Sequence, residues 1–469
     1  MAENEKTTAE LLAEKLCVKS VHSGQLLSDE EQKAADDFCE DYKRFLSSCK
    51  TERECADYFE SLAKKNGFVE FDKNKKYNTG DRVFRANRGK AIMFAVFGKK
   101  SISEGVRIVA AHIDSPRIDL KPNPVYEDSE LAYFKTHYYG GIKKYQWTAI
   151  PLAMHGVVIL GDGTKINITL GEGDDEPKFV ITDLLPHLAK EQMKKPLADA
   201  IEGEELNILI GSRPFKSDKG SELVKLNILN ILNEKYGIIE ADFRSAELEF
   251  VPAYKAWDIG FDRSMIGSYG QDDRVCAYPS FMAALDCGVP EYTSITVLTD
   301  KEETGSDGNT GLKSAYLQYF IEDLSALEGF DGRDVLTRSE CLSADVNAGF
   351  DPTFPTVLEK MNAAYLNKGI CVTKYTGARG KSGTSDASAE FVGKIRKIFD
   401  DEKIIWQMGE LGKVDEGGGG TVAMYIANLN VDVVDVGVPV LSMHSPFEVV
   451  AKFDVYMAFK AFKAFFCAE

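Results

Sequence analysis

Apolar and polar positions along this chain follow two different periods, one typical of strands and one typical of helices. Runs of mainly apolar residues, as expected for buried strands, occupy 91–97, 106–111, 295–299 and 431–440. Amphipathic patterns with helical spacing cover much of the first 67 residues, 385–399 and a closing segment at 447–466. Capping boxes at Ser28 and Thr51 predict the starts of two of the N-terminal helices. Strands that alternate with helices predict an α/β fold.

The pattern changes after Pro116 and returns near Arg244. Many short candidate strands lie between these points, separated by glycine-rich turns, and apolar runs flank the turn at 161–163 as in a hairpin. We interpret residues 117–244 as a β-rich domain inserted into an α/β domain formed by residues 1–116 and 245–469.

The composition of the chain argues against several classes of function. The net charge of −18 argues against nucleic acid and anionic membranes as partners, since both need a basic face. The polar, acidic start and the lack of a run of about 18 apolar residues predict a cytoplasmic protein without a secretory or membrane-spanning segment. Nine cysteines without a Cys-x-x-Cys pair predict reduced thiols.

Acidic and histidine motifs follow several of the predicted strands. The five motifs are His112-Ile113-Asp114, Gln271-Asp272-Asp273-Arg274, Asp300-Lys301-Glu302-Glu303, Ser343-Ala344-Asp345 and Met443-His444-Ser445. Strand ends on one edge of an open α/β sheet lie close together, and ligands bind at that edge. We therefore expect the five motifs to form one site.

Each motif has a plain structural alternative when taken alone. His112 and His444, two of only six histidines, could be structural or surface residues, but Asp114 can support His112 as carboxylates support metal-bound imidazoles. Glu302 and Glu303 could be two solvated loop glutamates. If one of them binds a metal, the other is free to act as a general base.

The combined residue types favour a pair of catalytic metals. Two histidines, two aspartates and one glutamate suit zinc or a similar divalent ion, with cobalt and manganese as alternatives. If one aspartate is shared, each metal has three protein ligands and an open position for water. The residue pattern by itself does not separate Asp272 from Asp273 as the shared ligand.

The order of these motifs resembles the aspartyl aminopeptidase and aminopeptidase I family of dinuclear zinc exopeptidases, over nearly the whole chain. The resemblance implies a three-layer α/β/α zinc-peptidase domain with an inserted β-rich domain for dimerisation or as a lid. It also implies removal of the N-terminal residue from short peptides, by a homo-oligomer of dimers assembled into a larger complex.

The resemblance also assigns the metal ligands. Asp272 would bridge two zinc ions, His112 and Asp345 would complete one shell, and Glu303 and His444 would complete the other.

Three further residues receive roles from the resemblance. Glu302 would be the general base and Asp114 would support the site behind His112. His187, in a Pro-His-Leu-Ala segment of the insert, would reach the substrate of a neighbouring subunit. Its alternative is a buried or capping histidine at a helix start.

The identity of the preferred N-terminal residue stays open at this stage. The stretch after Asp345 lacks the histidines found in eukaryotic aspartyl-specific members. Lys374, Arg379 and Lys381 are candidates for a cationic specificity pocket and are equally consistent with surface charges. The substrate could therefore begin with an acidic, neutral or hydrophobic residue.

Two glycine-containing motifs have other interpretations. Residues 379–382 resemble the end of a phosphate-binding loop, but Tyr375 stands where that motif needs a glycine. The glycine run at 417–420 could line the substrate pocket or receive an oxyanion, or could be a plain turn.

Two rival functions share the predicted metal shell. One is a related two-metal deacylase or carboxypeptidase, which would recognise another end of the substrate. The other is a metal-stabilised binding or assembly protein without turnover. The adjacent glutamates argue against the second, because a structural site needs no additional base.

Overall fold

The computed structural model describes residues 6–217, 219–377 and 379–469. Its α-helices are α1 (Thr8–Leu16), α2 (Ser23–Leu26), α3 (Asp29–Ser48), α4 (Glu52–Lys65), α5 (Leu223–Tyr236), α6 (Gln271–Asp286), α7 (Tyr316–Ala326), α8 (Gly332–Thr337), α9 (Ala389–Asp401), α10 (Ala423–Ala427) and α11 (Lys452–Cys467). None of these described helices combines the length and apolar character needed to cross a membrane.

The strands fall into two large sheets and two small ones. They are β1 (Val69–Glu70), β2 (Arg82–Asn87), β3 (Ala91–Val96), β4 (Val106–His112), β5 (Arg117–Asp128), β6 (Leu131–Tyr139), β7 (Leu152–Ile159), β8 (Lys165–Leu170), β9 (Val180–Ile181), β10 (Ile208–Gly211), β11 (Ala246–Pro252), β12 (Trp257–Ile259), β13 (Met265–Ser268), β14 (Thr293–Thr299), β15 (Glu340–Ser343), β16 (Asn347–Ala348), β17 (Ile370–Thr373), β18 (Trp406–Met408), β19 (Asp432–Gly437), β20 (Pro439–Val440) and β21 (Glu448–Ala451). The mixture of helices and sheets confirms the predicted α/β class.

The nine-stranded sheet has the order β1-β2-β3-β14-β4-β15-β19-β17-β18. Its four central strands, β14, β4, β15 and β19, are mutually parallel. The carboxyl ends of these strands therefore lie on one edge of the sheet, where the predicted motifs begin.

Apolar side chains cover both faces of this sheet. Along β3, Ile92 and Phe94 belong to a core that includes residues of α4, α6 and α11. The alternating residues Met93 and Ala95 belong to a second core, which includes residues of α7 and α8. Because successive strand residues point to opposite faces, an almost wholly apolar strand such as β3 has to be covered on both sides.

The seven-stranded sheet has the order β8-β7-β11-β5-β6-β10-β9, and its neighbouring strands pair antiparallel. The predicted hairpin around residues 161–163 is formed by β7 and β8. The sheet has its own core, with Trp147 and Phe250 fully buried. Strand β11, which follows residue 244, also belongs to this sheet.

Helix starts agree with the capping signals. Ser28 and Thr51 cap α3 and α4, and each makes both hydrogen bonds of a capping box, with Glu31 and Glu54 respectively. These two predictions are confirmed.

The predicted closing helix over residues 447–466 is wrong in its first turn. Residues Glu448–Ala451 form β21, which pairs with β13, and α11 begins only at Lys452. Val449 and Val450 are β-branched residues that fit a strand, and tertiary pairing decides their conformation.

The prediction that every cysteine is a free thiol is also wrong. Cys287 and Cys467 form a disulfide with their Cα atoms 5.9 Å apart, within the usual range for such bonds. The partners are 180 residues apart in the sequence and carry no spacing signature, so the sequence offered no signal for this pair. Seven other cysteines are free, as expected.

Candidate active site

Three of the predicted motifs meet because neighbouring strands end side by side. His112 is the last residue of β4 and lies opposite Thr299, the last residue of β14. Ser343, at the end of β15, lies opposite Ala110 of β4. The segments that follow these strands carry Asp114, the Glu302-Glu303 pair and Asp345, so all of them start from one sheet edge.

The other two motifs arrive from outside the large sheet. Asp272 lies at the irregular start of α6, where its φ and ψ of −78° and 108° are not helical. His444 lies in the turn between β20 and β21 and has a φ of +63°. Positive φ is uncommon for a residue with a side chain, and such conformations concentrate at functional sites.

Asp272 lies between the two imidazoles. One of its carboxylate oxygens is 3.1 Å from Nε2 of His112, and the other is 3.2 Å from Nε2 of His444. His444 Nε2 is also 3.6 Å from Oε2 of Glu303. Two histidines that face opposite oxygens of one carboxylate have the arrangement that a bridging ligand requires.

The neighbouring Asp273 has different surroundings. Its Oδ2 accepts a hydrogen bond from the backbone N–H of His112 at 3.2 Å. It also lies with His112 and Asp345 in a group whose potential ligand atoms are within 4.8 Å of one another. A second such group contains His112, Asp272 and Glu303.

Both imidazoles are oriented from behind. His112 Nδ1 lies 3.1 Å from the carbonyl oxygen of Asp114 and 3.3 Å from one of its carboxylate oxygens. His444 Nδ1 lies 2.9 Å from the carbonyl oxygen of Gly141, in the inserted segment. These contacts direct both Nε2 atoms into the site, as partners of metal-bound histidines do.

Asp114 also holds the turn that carries the paired glutamates. It accepts hydrogen bonds from the backbone N–H groups of Glu302 at 3.1 Å and Glu303 at 3.2 Å. The hydroxyl of Tyr139 donates to it at 2.7 Å. Asp114 therefore connects His112, the glutamate turn and the inserted segment.

The donor set fits divalent cations. Burial, followed by the charge of nearby acids, raises the pKa values of Glu303 and Asp345 well above the ordinary range. Glu303 Oε1 and Asp273 Oδ1 are buried without a hydrogen-bond partner among the described residues. Buried carboxylates of one sign need protons or cations to neutralise them, and imidazole with carboxylate is a zinc donor set.

The histidines respond to the same charges in the opposite direction. Burial alone would lower the pKa of His444, but Asp272 and Glu303 raise it to about 10. The pKa of His112 is raised well above its ordinary value, because contacts with Asp114 and Asp272 outweigh burial.

Glu302 differs from the proposed ligands. Its carboxylate is 18% exposed and its Oε2 lies 4.0 Å from His112 Nε2. Burial, partly offset by the nearby His112, raises its pKa to about 7.

No hydrogen bond or ion pair among the described residues joins His187 to this site. His187 is exposed, between β9 and β10 of the inserted segment. Its apolar neighbours Leu184, Leu185 and Leu188 are exposed by 53%, 50% and 70%. The alternative of a buried histidine is therefore wrong.

Two of the candidate specificity residues have neighbours outside the set of candidate metal ligands. Lys381 is paired with Asp386 at 2.9 Å and lies over the ring of Tyr375 at 3.7 Å. Lys374 lines a shallow cleft with Arg396 and Trp406.

The glycine run at 417–420 has no regular secondary structure and follows a turn at 414–416. The backbone N–H groups of Glu416 and Gly417 bond to the carbonyl of Lys413. The following helix α10 has only five residues.

Sequence reasoning missed three contributors to the site: Tyr139, Gly141 and Glu448. Tyr139 contacts Asp114, 25 residues away, and Gly141 contacts His444, 303 residues away. Glu448 is four residues after His444, but that spacing alone does not predict a contact. The contact arises because β21 pairs with β13 and places Glu448 beside the start of α6.

The chain matches proteins of one family. The sequence model of the aminopeptidase I zinc metalloprotease family (M18) matches residues 45–466. A protein of Clostridium acetobutylicum named probable M18 family aminopeptidase 1 is 51% identical over 432 residues, which cover 90% of this chain and 93% of that protein.

Solved structures give the same grouping. The crystal structure of an M18-family aminopeptidase from Thermotoga maritima matches with a TM-score of 0.92 at 42% identity, covering 96% of this chain and 99% of that one. A Saccharomyces cerevisiae aminopeptidase 1 structure described as a dodecamer matches with a TM-score of 0.74 at 20% identity, covering 93% of this chain and 97% of that one. The second match shows a shared fold.

Proposed function

The chain belongs to the aminopeptidase I zinc metalloprotease family (M18), and on that premise we propose that it removes N-terminal residues from short peptides with two divalent cations and Glu302 as general base. The family makes it a zinc metallo-aminopeptidase. The number of cations, their ligands and the identity of the base are our proposal.

One observation carries the two-cation proposal: the two oxygens of Asp272 face the Nε2 atoms of His112 and His444. Asp272 would bridge the cations, with Asp345 beside His112 and Glu303 beside His444. The different contacts of Asp273, which accepts a backbone N–H, support Asp272 as the shared ligand. Zinc fits these donors first, and cobalt or manganese would be bound by the same set.

The proposed chemistry divides between the cations and the chain. Bound divalent cations supply Lewis acidity for the scissile carbonyl and for the attacking water. Glu302 takes a proton from that water and returns it to the leaving amine. Asp114 keeps the Glu302 turn and the His112 ring in place through its hydrogen bonds.

We propose that the chain is divided into a catalytic domain and an inserted domain. Residues 1–116 and 245–469 would form a three-layer catalytic domain, with apolar cores on both faces of its sheet. Residues 117–244, with β11 completing their sheet, would form the inserted dimerisation or lid domain.

We propose that the chain forms homo-oligomers through the surface of the inserted domain. Exposed Leu184, Leu185 and Leu188 around His187 form an apolar patch that a second copy could cover. We propose that His187 then reaches the substrate in the neighbouring subunit's site. The related yeast aminopeptidase described as a dodecamer supports an assembly larger than a dimer.

Product analysis on matched peptides tests this function. Purified protein, stripped with a chelator and then reloaded with zinc or cobalt, receives leucyl and aspartyl peptides with free or acetylated N-termini. We expect metal-dependent release of the first residue from the free peptides only. Cleavage of acetylated peptides, or release from the carboxyl end, would instead establish a deacylase or carboxypeptidase. No turnover with any metal would favour a binding or assembly protein.

A further inference from the structure

We propose that Glu448 is a positioning residue that fixes the distance between Asp272 and His444 and thereby builds the second cation site. The inference rests on the proposed two-cation function. It adds a residue that touches neither cation nor substrate, and whose effect passes through the backbone of two ligand-bearing segments.

The carboxylate of Glu448 serves both segments at once. Its Oε1 accepts a hydrogen bond from the backbone N–H of His444 at 2.7 Å. Its Oε2 accepts from the backbone N–H groups of Gln271 at 2.6 Å and Asp272 at 3.1 Å. Glu448 is only 1% exposed, so water does not compete for these contacts.

The main chain of Glu448 strengthens the same connection. Its carbonyl accepts from the side-chain amide of Gln271 at 2.7 Å, and that amide also donates to the carbonyl of Ile266 at 3.1 Å. In the β13–β21 ladder, Glu448 lies opposite Ser268. The segment that leads to Asp272 and the segment that follows His444 are therefore joined by both backbone and side chain.

The three N–H groups need this acceptor because local secondary structure does not supply one. Gln271 and Asp272 lie at the start of α6, where N–H groups have no partner within the helix. His444 lies in a turn with positive φ. A buried N–H without an acceptor is costly, and one carboxylate has enough lone pairs for all three.

The geometry predicts an unequal effect on the two cation sites. The second site combines Glu303, His444 and the shared Asp272, and both segments held by Glu448 contribute to it. The first site takes His112 and Asp345 from the ends of strands of the large sheet and shares Asp272. Only one of its three ligands therefore lies on a segment that Glu448 holds, against two of three in the second site. Loss of Glu448 should therefore weaken one cation more than the other.

Glu448→Gln is the substitution that tests the hydrogen-bonding role of this side chain most specifically. Glutamine has nearly the same shape, but one of its two terminal atoms becomes an NH₂ donor that faces a backbone N–H instead of accepting from it. Aspartate keeps the charge and both acceptor oxygens on a shorter side chain. It is the conservative variant.

Asp454 provides a matched control. It is fully buried and accepts from the backbone N–H groups of Asn367 at 2.6 Å and Gly369 at 2.8 Å, away from the cation ligands. Asp454→Asn removes the same kind of contact from α11. It should lower the melting temperature without a change in metal affinity.

The test is a metal titration of the full-length protein. Zinc affinities by competition with a chromophoric chelator, and the visible absorption of the cobalt-loaded protein, are measured for wild type, Glu448→Gln, Glu448→Asp and Asp454→Asn. We expect Glu448→Gln to weaken one of two cations by about 10–100-fold, as loss of a supporting contact does, and to change the cobalt spectrum. Glu448→Asp should lie between it and wild type.

Each outcome decides the proposal. A folded Glu448→Gln protein with both affinities and its spectrum unchanged would overturn it, as would equal weakening of both cations. If that variant does not fold, Glu448→Asp decides by the same criterion, and failure of both to fold would assign Glu448 to the fold alone. Wild-type protein that binds fewer than two cations would refute the proposed function, whatever the variants do.

Discussion

Glu302 and Glu303 are adjacent residues with different surroundings. Glu303 is 2% exposed and lies 3.6 Å from His444 Nε2, whereas Glu302 is 18% exposed and 4.0 Å from His112 Nε2. Asp114 fixes the backbone of both. The difference in position supports different roles, with Glu303 as a ligand and Glu302 as the base.

The Glu302→Gln variant tests the role of the base. It should bind zinc as the wild type does, because Glu302 is not a proposed ligand. Its turnover number should fall by about 10²–10⁴-fold, the usual contribution of a general base. Zinc content and steady-state hydrolysis of a leucyl peptide measure the two quantities.

Glu303→Gln is the matched variant on the adjacent residue, and it should lose zinc as well as activity. A Glu302→Gln enzyme that retains nearly the wild-type rate would show that another group accepts the proton.

At the residue scale, the structure brings the predicted motifs together because neighbouring strands end side by side. His112, Glu303 and Asp345 follow apolar runs, and the parallel central strands carry them to one edge. The supporting residues were not predictable in this way. Tyr139 contacts Asp114 and Glu448 contacts Asp272 only through tertiary packing, which leaves no pattern in the local sequence.

At the element scale, a buried histidine connects α4 to the inserted sheet. His155 on β7 lies 2.7 Å from Glu54 of α4 and 2.9 Å from Glu172, which follows β8. Lys50, before α4, is also 2.7 Å from Glu172. These contacts join the helical N-terminal region to the seven-stranded sheet. The protonation states of His155 and the two glutamates therefore affect how strongly the two are held together.

The pKa shifts give this connection a defined pH window. Burial opposes the charge of His155, but Glu172 and Glu54 raise its pKa above 6.5, so its stabilisation is complete below pH 6.5 and is lost as pH rises through the folded value. Burial opposes the charge of the glutamates too, but His155 lowers their pKa values below 4.5. Their contribution is complete above pH 4.5 and is lost as pH falls through the folded values.

We therefore predict that His155→Gln lowers the free energy of unfolding most between pH 4.5 and 6.5. The loss should be about 1.5–3 kcal/mol, as for hydrogen bonds to charged groups, and should shrink as pH rises well above this window. Denaturant unfolding at several pH values measures it. His137→Gln, at an exposed histidine of β6, is the control, and an equal loss at every pH would contradict the charge argument.

Helices and strands were predicted correctly where the sequence fits only one hydrophobic period. They were missed where the sequence fits both the helical and the strand period. The apolar runs at 91–97 and 106–111 form β3 and β4. A short, continuous apolar run of this kind is typical of a buried strand. Residues 448–451 also fit a helical period, and only their pairing with β13 makes them a strand.

At the scale of the whole molecule, His187 is exposed on the surface of a single chain. If it acts in a neighbouring site, His187→Ala should lower turnover by about 10²–10³-fold, as for loss of a transition-state donor. Zinc content should stay unchanged, because His187 lies away from the proposed ligands. His137→Ala, at another exposed histidine of the insert, should leave the rate unchanged.

Mixed assemblies provide the sharper form of this test. Co-produced His187→Ala and Glu302→Gln chains should recover about a quarter of the wild-type rate, since half of randomly formed dimers would carry one complete site. No recovery, in assemblies shown to contain both chains, would place His187 outside the neighbour's site.

The sequence predicted the α/β class and the family resemblance that the comparisons support. It did not predict how the insert meets the site, where the Gly141 carbonyl orients His444. That contact depends on how the two sheets pack against each other. Such packing produces no hydrophobic pattern in either segment from which it could be predicted.

Zinc titration of the metal-free protein, with release of the N-terminal residue followed at each step, tests the central claim most directly. We predict no activity without metal, two zinc ions per chain at saturation, and full activity only when both are bound. Full activity in the chelator-stripped protein, or saturation at a single zinc ion, would contradict a two-cation aminopeptidase centred on Asp272.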